Sequence, residues 1–336
     1  MKFLLASLGL VALLGCGDEG TSTTGAGAAG APTTSAAGAD SSGGASSTGG
    51  AGASGGAPSV GGGGAAPTLG DFPPKWPDGT SCGAEDPIFV WKLAPDTYIL
   101  RQSLCTSFEG PFLYLLFGED RVVLEDTGDG GVPLRDTIDA IIDGWLAENG
   151  KDSIELVVVH SHGHGDHVAG DGQLQDRPDT TVVGTSLSAV EQFFGLEGWP
   201  SETASLDLGG RVLDVVPIPG HQSAHVALYD PKYELLLTGD TLYPGRLYVQ
   251  DFSAYVASVQ RLVSFAQTHP VSRVLGTHVE MTNVPGVDFD FGADQHPNER
   301  PLQLDLAHLL ELEAAVVAMG GSPEYEVHDD FIVYPL

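Results

Sequence analysis

The octapeptide His160-Ser161-His162-Gly163-His164-Gly165-Asp166-His167 constrains this chain more than any other stretch. It follows Ile154-Glu155-Leu156-Val157-Val158-Val159, a short apolar run rich in β-branched residues that reads as a buried strand. His162, His164, Asp166 and His167, all able to bind metal, therefore sit at a strand's C-terminal end. On a loop, residues two apart can point the same way, so His162 and His164 can share one ion while Asp166 and His167 face a second. A helical His-Glu-x-x-His pattern, by contrast, holds a single zinc. Donors of this kind suit zinc, and also iron or manganese.

The domain carrying this loop begins well into the chain. Met1-Lys2 followed by the apolar Phe3 to Leu14 is a charged start plus a hydrophobic stretch, shorter than the about 20 residues of a membrane span, and reads as an export signal. Its end, Leu13-Leu14-Gly15-Cys16, resembles the lipobox of bacterial lipoproteins, where the cysteine is acylated and becomes the new N-terminus. Residues 1–16 are thus expected to be a lipoprotein signal peptide, and the mature protein to be exported and lipid-anchored through Cys16 to a bacterial membrane, periplasmic or at the cell surface. Residues 17–71 are almost entirely Gly, Ala, Ser and Thr with nothing to bury, the composition of a disordered tether. Residues 72–336 remain for one large domain.

Forty-five acidic residues against 14 basic ones leave a formal charge of −31. Nucleic acid is excluded as a partner, because phosphate neutralisation needs clustered Lys and Arg; a small-molecule substrate is expected. With Cys16 assigned to lipid, Cys82 and Cys105 are left in an exported domain where disulfides persist, and they are expected to pair.

Short β-type runs at Ile88 to Trp91, Thr97 to Arg101, Phe112 to Phe117 and Arg121 to Glu125 read as a strand meander. Pro133 opens a helix whose apolar residues Leu134, Ile138, Ile141, Ile142, Trp145 and Leu146 keep helical spacing until Asn149-Gly150. A further helix is expected from Ser186 to Phe194, and strands at Val212 to Val216, Ala224 to Tyr229 and Glu234 to Leu237. Helices from about Ser253 to Gln267 and from Pro301 through Met319, an irregular insertion from Val279 to Arg300 and a closing strand complete the chain. Three strand ends carry further candidate ligands: Pro219-Gly220-His221, Gly239-Asp240-Thr241 and Thr277-His278.

With Asp126-Thr127-Gly128 and His162 to His167, these landmarks resemble, in order, those of the metallo-β-lactamase fold superfamily, over the whole domain from about residue 85 onward. The resemblance implies an α/β fold, a four-layer αββα sandwich with a dinuclear site on one edge. By the family's pattern His162, His164 and His221 hold the first metal, Asp166, His167 and His278 hold the second, and Asp240 bridges them; Asp126 takes the place of a buried acidic residue beside the site. Two divalent ions, zinc above all, would share a water and polarise a carbonyl or phosphoryl oxygen, so that hydroxide attacks. Asp166 and Asp240 are then catalytic as well as ligands.

Within the superfamily, Asp240 argues against the β-lactamases, which usually lack Asp there. Gly239-Asp240-Thr241-Leu242 and Gly245-Arg246-Leu247 resemble glyoxalase II, the hydroxyacylglutathione hydrolases. Those enzymes bind glutathione with basic residues in a helical C-terminal region, whereas Pro301 to Leu336 contains no Lys or Arg. Quorum-quenching lactonases carry a Tyr three residues after the bridging Asp, where Tyr243 stands here, placed to hydrogen-bond a substrate. The expectation is a dinuclear metallohydrolase acting on a neutral or apolar ester, lactone or thioester. The alternatives are a persulfide dioxygenase-like oxidoreductase with a single iron, or a β-lactamase. His160 and His225 are expected to support the ligands, and His296 is a weaker candidate for the pocket wall.

Overall fold

The computed structural model describes residues 68–336; the export signal, Cys16 and the tether up to residue 67 lie outside the described residues. In chain order the strands are β1 (Ile88–Ala94), β2 (Thr97–Gln102), β3 (Phe112–Phe117), β4 (Arg121–Glu125), β5 (Glu155–Val159), β6 (Thr180–Val182), β7 (Ala204–Asp207), β8 (Val212–Pro217), β9 (Val226–Asp230), β10 (Leu235–Gly239), β11 (Arg246–Val249), β12 (Arg273–Gly276), β13 (Gln303–Leu304), β14 (Glu326–Val327) and β15 (Ile332–Pro335). The helices are α1 (Leu134–Asn149), α2 (Gly165–Val168), α3 (Leu187–Phe194), α4 (Phe252–Ala266) and α5 (Leu306–Met319). One sheet runs β1-β2-β3-β4-β5-β6 and a second runs β13-β12-β10-β9-β8-β7.

Side-chain alternation along buried strands makes the layers. In β3, Phe112, Tyr114 and Leu116 point into the core shared with Leu213, Val215, Leu228 and Leu237 of the second sheet. The intervening Leu113, Leu115 and Phe117 pack instead on Ile138, Ile142 and Trp145 of α1, with Phe117 stacked on Trp145 at 4.7 Å. On the far side, Ala227, Tyr229 and Leu236 pack against Tyr255, Val259 and Leu262 of α4 and Leu309, Leu312 and Val316 of α5. The layers are thus α1, sheet, sheet, then α4 with α5: an αββα sandwich. Arg211 ties the sheets together: its guanidinium donates to both oxygens of Asp230 (3.1 and 2.6 Å), to the Phe117 carbonyl and to Thr97 Oγ1.

β4 pairs parallel with β5, and β10 with β12. Parallel neighbours end at the same edge, so the segments leaving β4 and β5 emerge together, as do those leaving β10 and β12. Two features depart from the sequence reading. A third small sheet, β11-β15-β14, pairs the closing strand in parallel with Arg246–Val249, a run too short to stand out by periodicity. The segment carrying Asp166 and His167 is also not all loop: Gly165–Val168 winds one helical turn with His164 at its N-cap position, where an acidic Asp166 suits the positive end of the turn's dipole.

Candidate metal centre

Every candidate ligand leaves a strand at the same edge. His162 and His164 follow β5, with Asp166 and His167 in α2; His221 follows β8, Asp240 follows β10 and His278 follows β12. The structure brings all of them together in two sets, His162, His164, His221 and Asp240 in one, and Asp166, His167 and His278 in the other, with donor atoms in each set within 4.8 Å of one another. Asp240 Oδ2 lies 3.7 Å from His162 Nε2, 3.4 Å from His221 Nε2 and 3.5 Å from His167 Nε2, while Oδ1 lies 3.5 Å from His278 Nε2. Its carboxylate therefore stands between the sets, steadied by the Thr277 hydroxyl, which donates to Oδ1.

In the first set three imidazole nitrogens converge: His162 Nε2 is 2.9 Å from His164 Nδ1 and 3.1 Å from His221 Nε2, which is itself 3.0 Å from His164 Nδ1. Their opposite nitrogens have partners of their own. His221 Nδ1 lies 2.7 Å from the Tyr248 carbonyl and His162 Nδ1 lies 3.1 Å from Ser161 Oγ. The nitrogen facing a carbonyl must carry the proton, which turns the other lone pair inward. The inward nitrogen of His221 is thus a lone pair, and three imidazole nitrogens this close to one another form the donor cluster a cation would fill. The second set follows the same rule: His278 Nδ1 donates to the Glu109 carbonyl at 2.9 Å and His167 Nδ1 to Asp126 Oδ2 at 2.8 Å. His167 Nε2, wholly buried, has no well-aligned hydrogen-bond partner among the described residues, with Asp166 Oδ2 at 3.2 Å and Asp240 Oδ2 at 3.5 Å facing it. An unpartnered buried ring nitrogen and a convergent His/Asp donor set fit divalent metal ions.

The electrostatics divide the histidines. Burial holds His162, His221 and His225 below the ordinary imidazole range. Burial also acts on His278, but Asp240 and Asp166 outweigh it and push it up to about 10. His167 is raised in the same way, burial being overcome by Asp240 and Asp126. Asp240 and Asp166 are lowered despite their burial, through the neighbouring histidines. The carboxylates thus demand positive charge at this edge, which protons or metal ions can supply.

The supporting residues are specific. Asp126, at a φ of 66° that is costly for a residue with a side chain, accepts from the Ser161 N–H and hydroxyl at 2.8 Å each and orients His167. Gly239 is required at its place, since a Cβ there would lie 2.5 Å from His225 Nε2 and 2.7 Å from Ser161 Cβ. His160 bonds to Asp171 and the Val183 carbonyl, and His225 lies buried behind the set with its ring 4.7 Å from that of His162. His296 stacks on Phe289, points Nδ1 at the Val279 carbonyl and lines a small crevice with Arg246 and Glu280.

Tyr243 is placed differently from the sequence expectation. It is 1% exposed, packs its ring 5.5 Å from that of His278, and donates its hydroxyl proton to the Arg246 carbonyl. Donation to a substrate would require that bond to be given up. Sequence reading also missed Glu109, whose carbonyl fixes His278 across 169 positions, and Gln250, whose amide lies 3.3 Å from His164 Nε2. Neither carries a local signal; Ser161, lying inside the motif, does.

An αββα sandwich with such a cluster on its strand-end edge defines a metal-binding scaffold. A family model described as the metallo-beta-lactamase superfamily matches residues 108–321, and the chain belongs to that superfamily. Among curated relatives, a hydroxyacylglutathione hydrolase of Rhizobium meliloti is 32% identical over 110 residues, 32% of this chain and 43% of that protein. The acyl-coenzyme A thioesterase MBLAC2 of Gallus gallus is 28% identical over 205 residues, 50% of this chain and 72% of that one. The chain spans about half the length of the first curated relatives it matches. Among solved structures, a metallo-beta-lactamase from Pontibacter korlensis aligns with 68% of this chain and 99% of that one at 21% identity and a TM-score of 0.47.

Proposed function

We propose that the chain is a dinuclear, metal-dependent hydrolase that cleaves an ester, lactone or thioester at its carbonyl. The observation that carries this reading is the position of Asp240, whose carboxylate faces both donor sets at once. His162, His164 and His221 would hold one ion, Asp166, His167 and His278 the other, with Asp240 between. Two such ions activate a water for attack and polarise the carbonyl under attack. The chain's own contribution is orientation: carbonyls of Tyr248 and Glu109 and the Asp126 carboxylate fix the tautomers of His221, His278 and His167, leaving each inward nitrogen free to bind. Metal ligation by these residues is supported by the superfamily membership and the donor geometry together, and relatives named as hydrolases of thioesters support the reaction class.

The test is a rate panel on zinc-loaded protein with ester, lactone, thioester, β-lactam and phosphodiester substrates, with metal content measured alongside. Asp240→Ala is expected to lower the rate by about 100-fold or more and to reduce occupancy below two ions per chain. Full occupancy and full rate in that variant would defeat the assignment, and a single iron per chain would favour the oxidoreductase alternative instead.

A further inference from the structure

We propose that Phe108 and Phe291 form an aromatic lip that binds the apolar acyl or alkyl part of a neutral substrate, an inference that rests on the hydrolase reading above. Large aromatic side chains are expensive to leave in water, yet Phe108 is 41% exposed and Phe291 is 74% exposed. They come from separate segments and meet edge to face with ring centroids 5.8 Å apart.

Both halves of the lip lead directly to His278. Phe108 precedes Glu109, whose carbonyl accepts from His278 Nδ1. On the other side, Glu280 follows His278 by two positions, its carbonyl accepts from the Phe289 N–H at 2.8 Å, and Phe291 lies two residues beyond Phe289. The crevice that both rings help to line also takes in Phe289, Arg246, Glu280 and His296 and encloses only about 10 Å³. A chain therefore lies across the rings, not inside a tunnel.

Charge selects against anionic substrates. Arg246, the only Lys or Arg lining the crevice, is taken up by Glu280 and Asp288 at 3.2 and 2.8 Å, and Asp290 adds a further carboxylate to the lining. A phosphate- or carboxylate-bearing carrier would meet uncompensated negative charge here, while a neutral acyl group meets two exposed rings.

The experiment compares kcat/KM for neutral phenyl esters from acetyl to octanoyl, and for octanoyl-coenzyme A, on the zinc-loaded full chain. Wild type is expected to prefer octanoyl over acetyl ester, and Phe108→Ala and Phe291→Ala each to lower that preference about tenfold; Leu310→Ala, a similarly exposed apolar residue on α5, should leave the ratio alone. A ratio unmoved by either Phe variant, or a preference for the coenzyme A thioester over the octanoyl ester, overturns the proposal while the hydrolase reading stands. Binding of neutral N-octylacetamide, followed by calorimetry, separates the two: if no ester is cleaved but the amide binds wild type and about tenfold more weakly to Phe291→Ala, the reaction class fails and the lip survives. If the amide binds both proteins alike, the lip fails.

Discussion

Glu125 shows how far single residues at this edge depart from ordinary chemistry. It ends β4, is completely buried, and neither of its carboxylate oxygens has a hydrogen-bond partner among the described residues. Burial, and then the charge of Asp126, push its pKa well above the ordinary glutamate value of 4.5, with His167 pulling the other way. A carboxyl raised on folding binds its proton more tightly in the native state. Its contribution to stability is therefore present below the unfolded value and is lost as pH rises towards the folded one. Glu125→Gln keeps the shape without the ionisation. The variant is expected to melt above wild type at about pH 8, with the gap closing towards about pH 5; thermal unfolding at both values checks this, and a gap that widens on acidification would contradict it. Asp126, the next residue, was legible as a site residue because Asp126-Thr127-Gly128 is a recognisable landmark. Glu125 was not, since a Glu at a strand's end reads from sequence as a solvent-facing residue.

At the scale of elements, the loop between β2 and β3 matters most, because it delivers the Glu109 carbonyl to His278 and Phe108 to the lip. A disulfide between Cys82 and Cys105 anchors it, closing a separation of 23 residues. Closing a loop of that size stabilises by about 3 kcal/mol through the unfolded chain. The double variant Cys82→Ser, Cys105→Ser should lose about that much in denaturant unfolding, and its metal affinity should fall through the second donor set, where His278 loses its anchored partner. Unchanged stability would show the staple to be incidental. Amphipathic helices α1 and α4 were readable from their 3.6-residue spacing, and β3 to β5 from unbroken apolar runs. The α2 turn and β11 were not: four-residue elements contain too little periodicity, and their conformation depends on what they pack against.

For the whole molecule, a metal pair that ties loops from both sheets would link binding to stability. Ions bound only by the native state add about 4 kcal/mol at a free concentration 1,000 times Kd, so a chelator should lower the melting temperature and readdition of zinc restore it, with Asp240→Ala responding less. Calorimetry with and without chelator measures this; identical curves would argue against structural coupling. Arg211 already links the sheets at 2% side-chain exposure, in a bidentate pair with an equally buried Asp230, so the sandwich does not depend on metal alone.

What the sequence determined by itself was whatever is short in range. The donor types, the two-residue spacing of His162, His164 and Asp166, and the placing of each ligand at the end of an apolar run follow from covalent geometry and hydrophobic pattern. Together with a resemblance resting on five separated landmarks, they were enough for the layer architecture and for naming the side chains that the structure gathers at one edge. Only the tertiary structure decided which backbone carbonyls orient the imidazoles, that the Tyr243 hydroxyl turns to Arg246, and that Phe108 meets Phe291. Those contacts join segments far apart in the chain, and they are set by how two sheets twist and pack, which no local run of residues encodes.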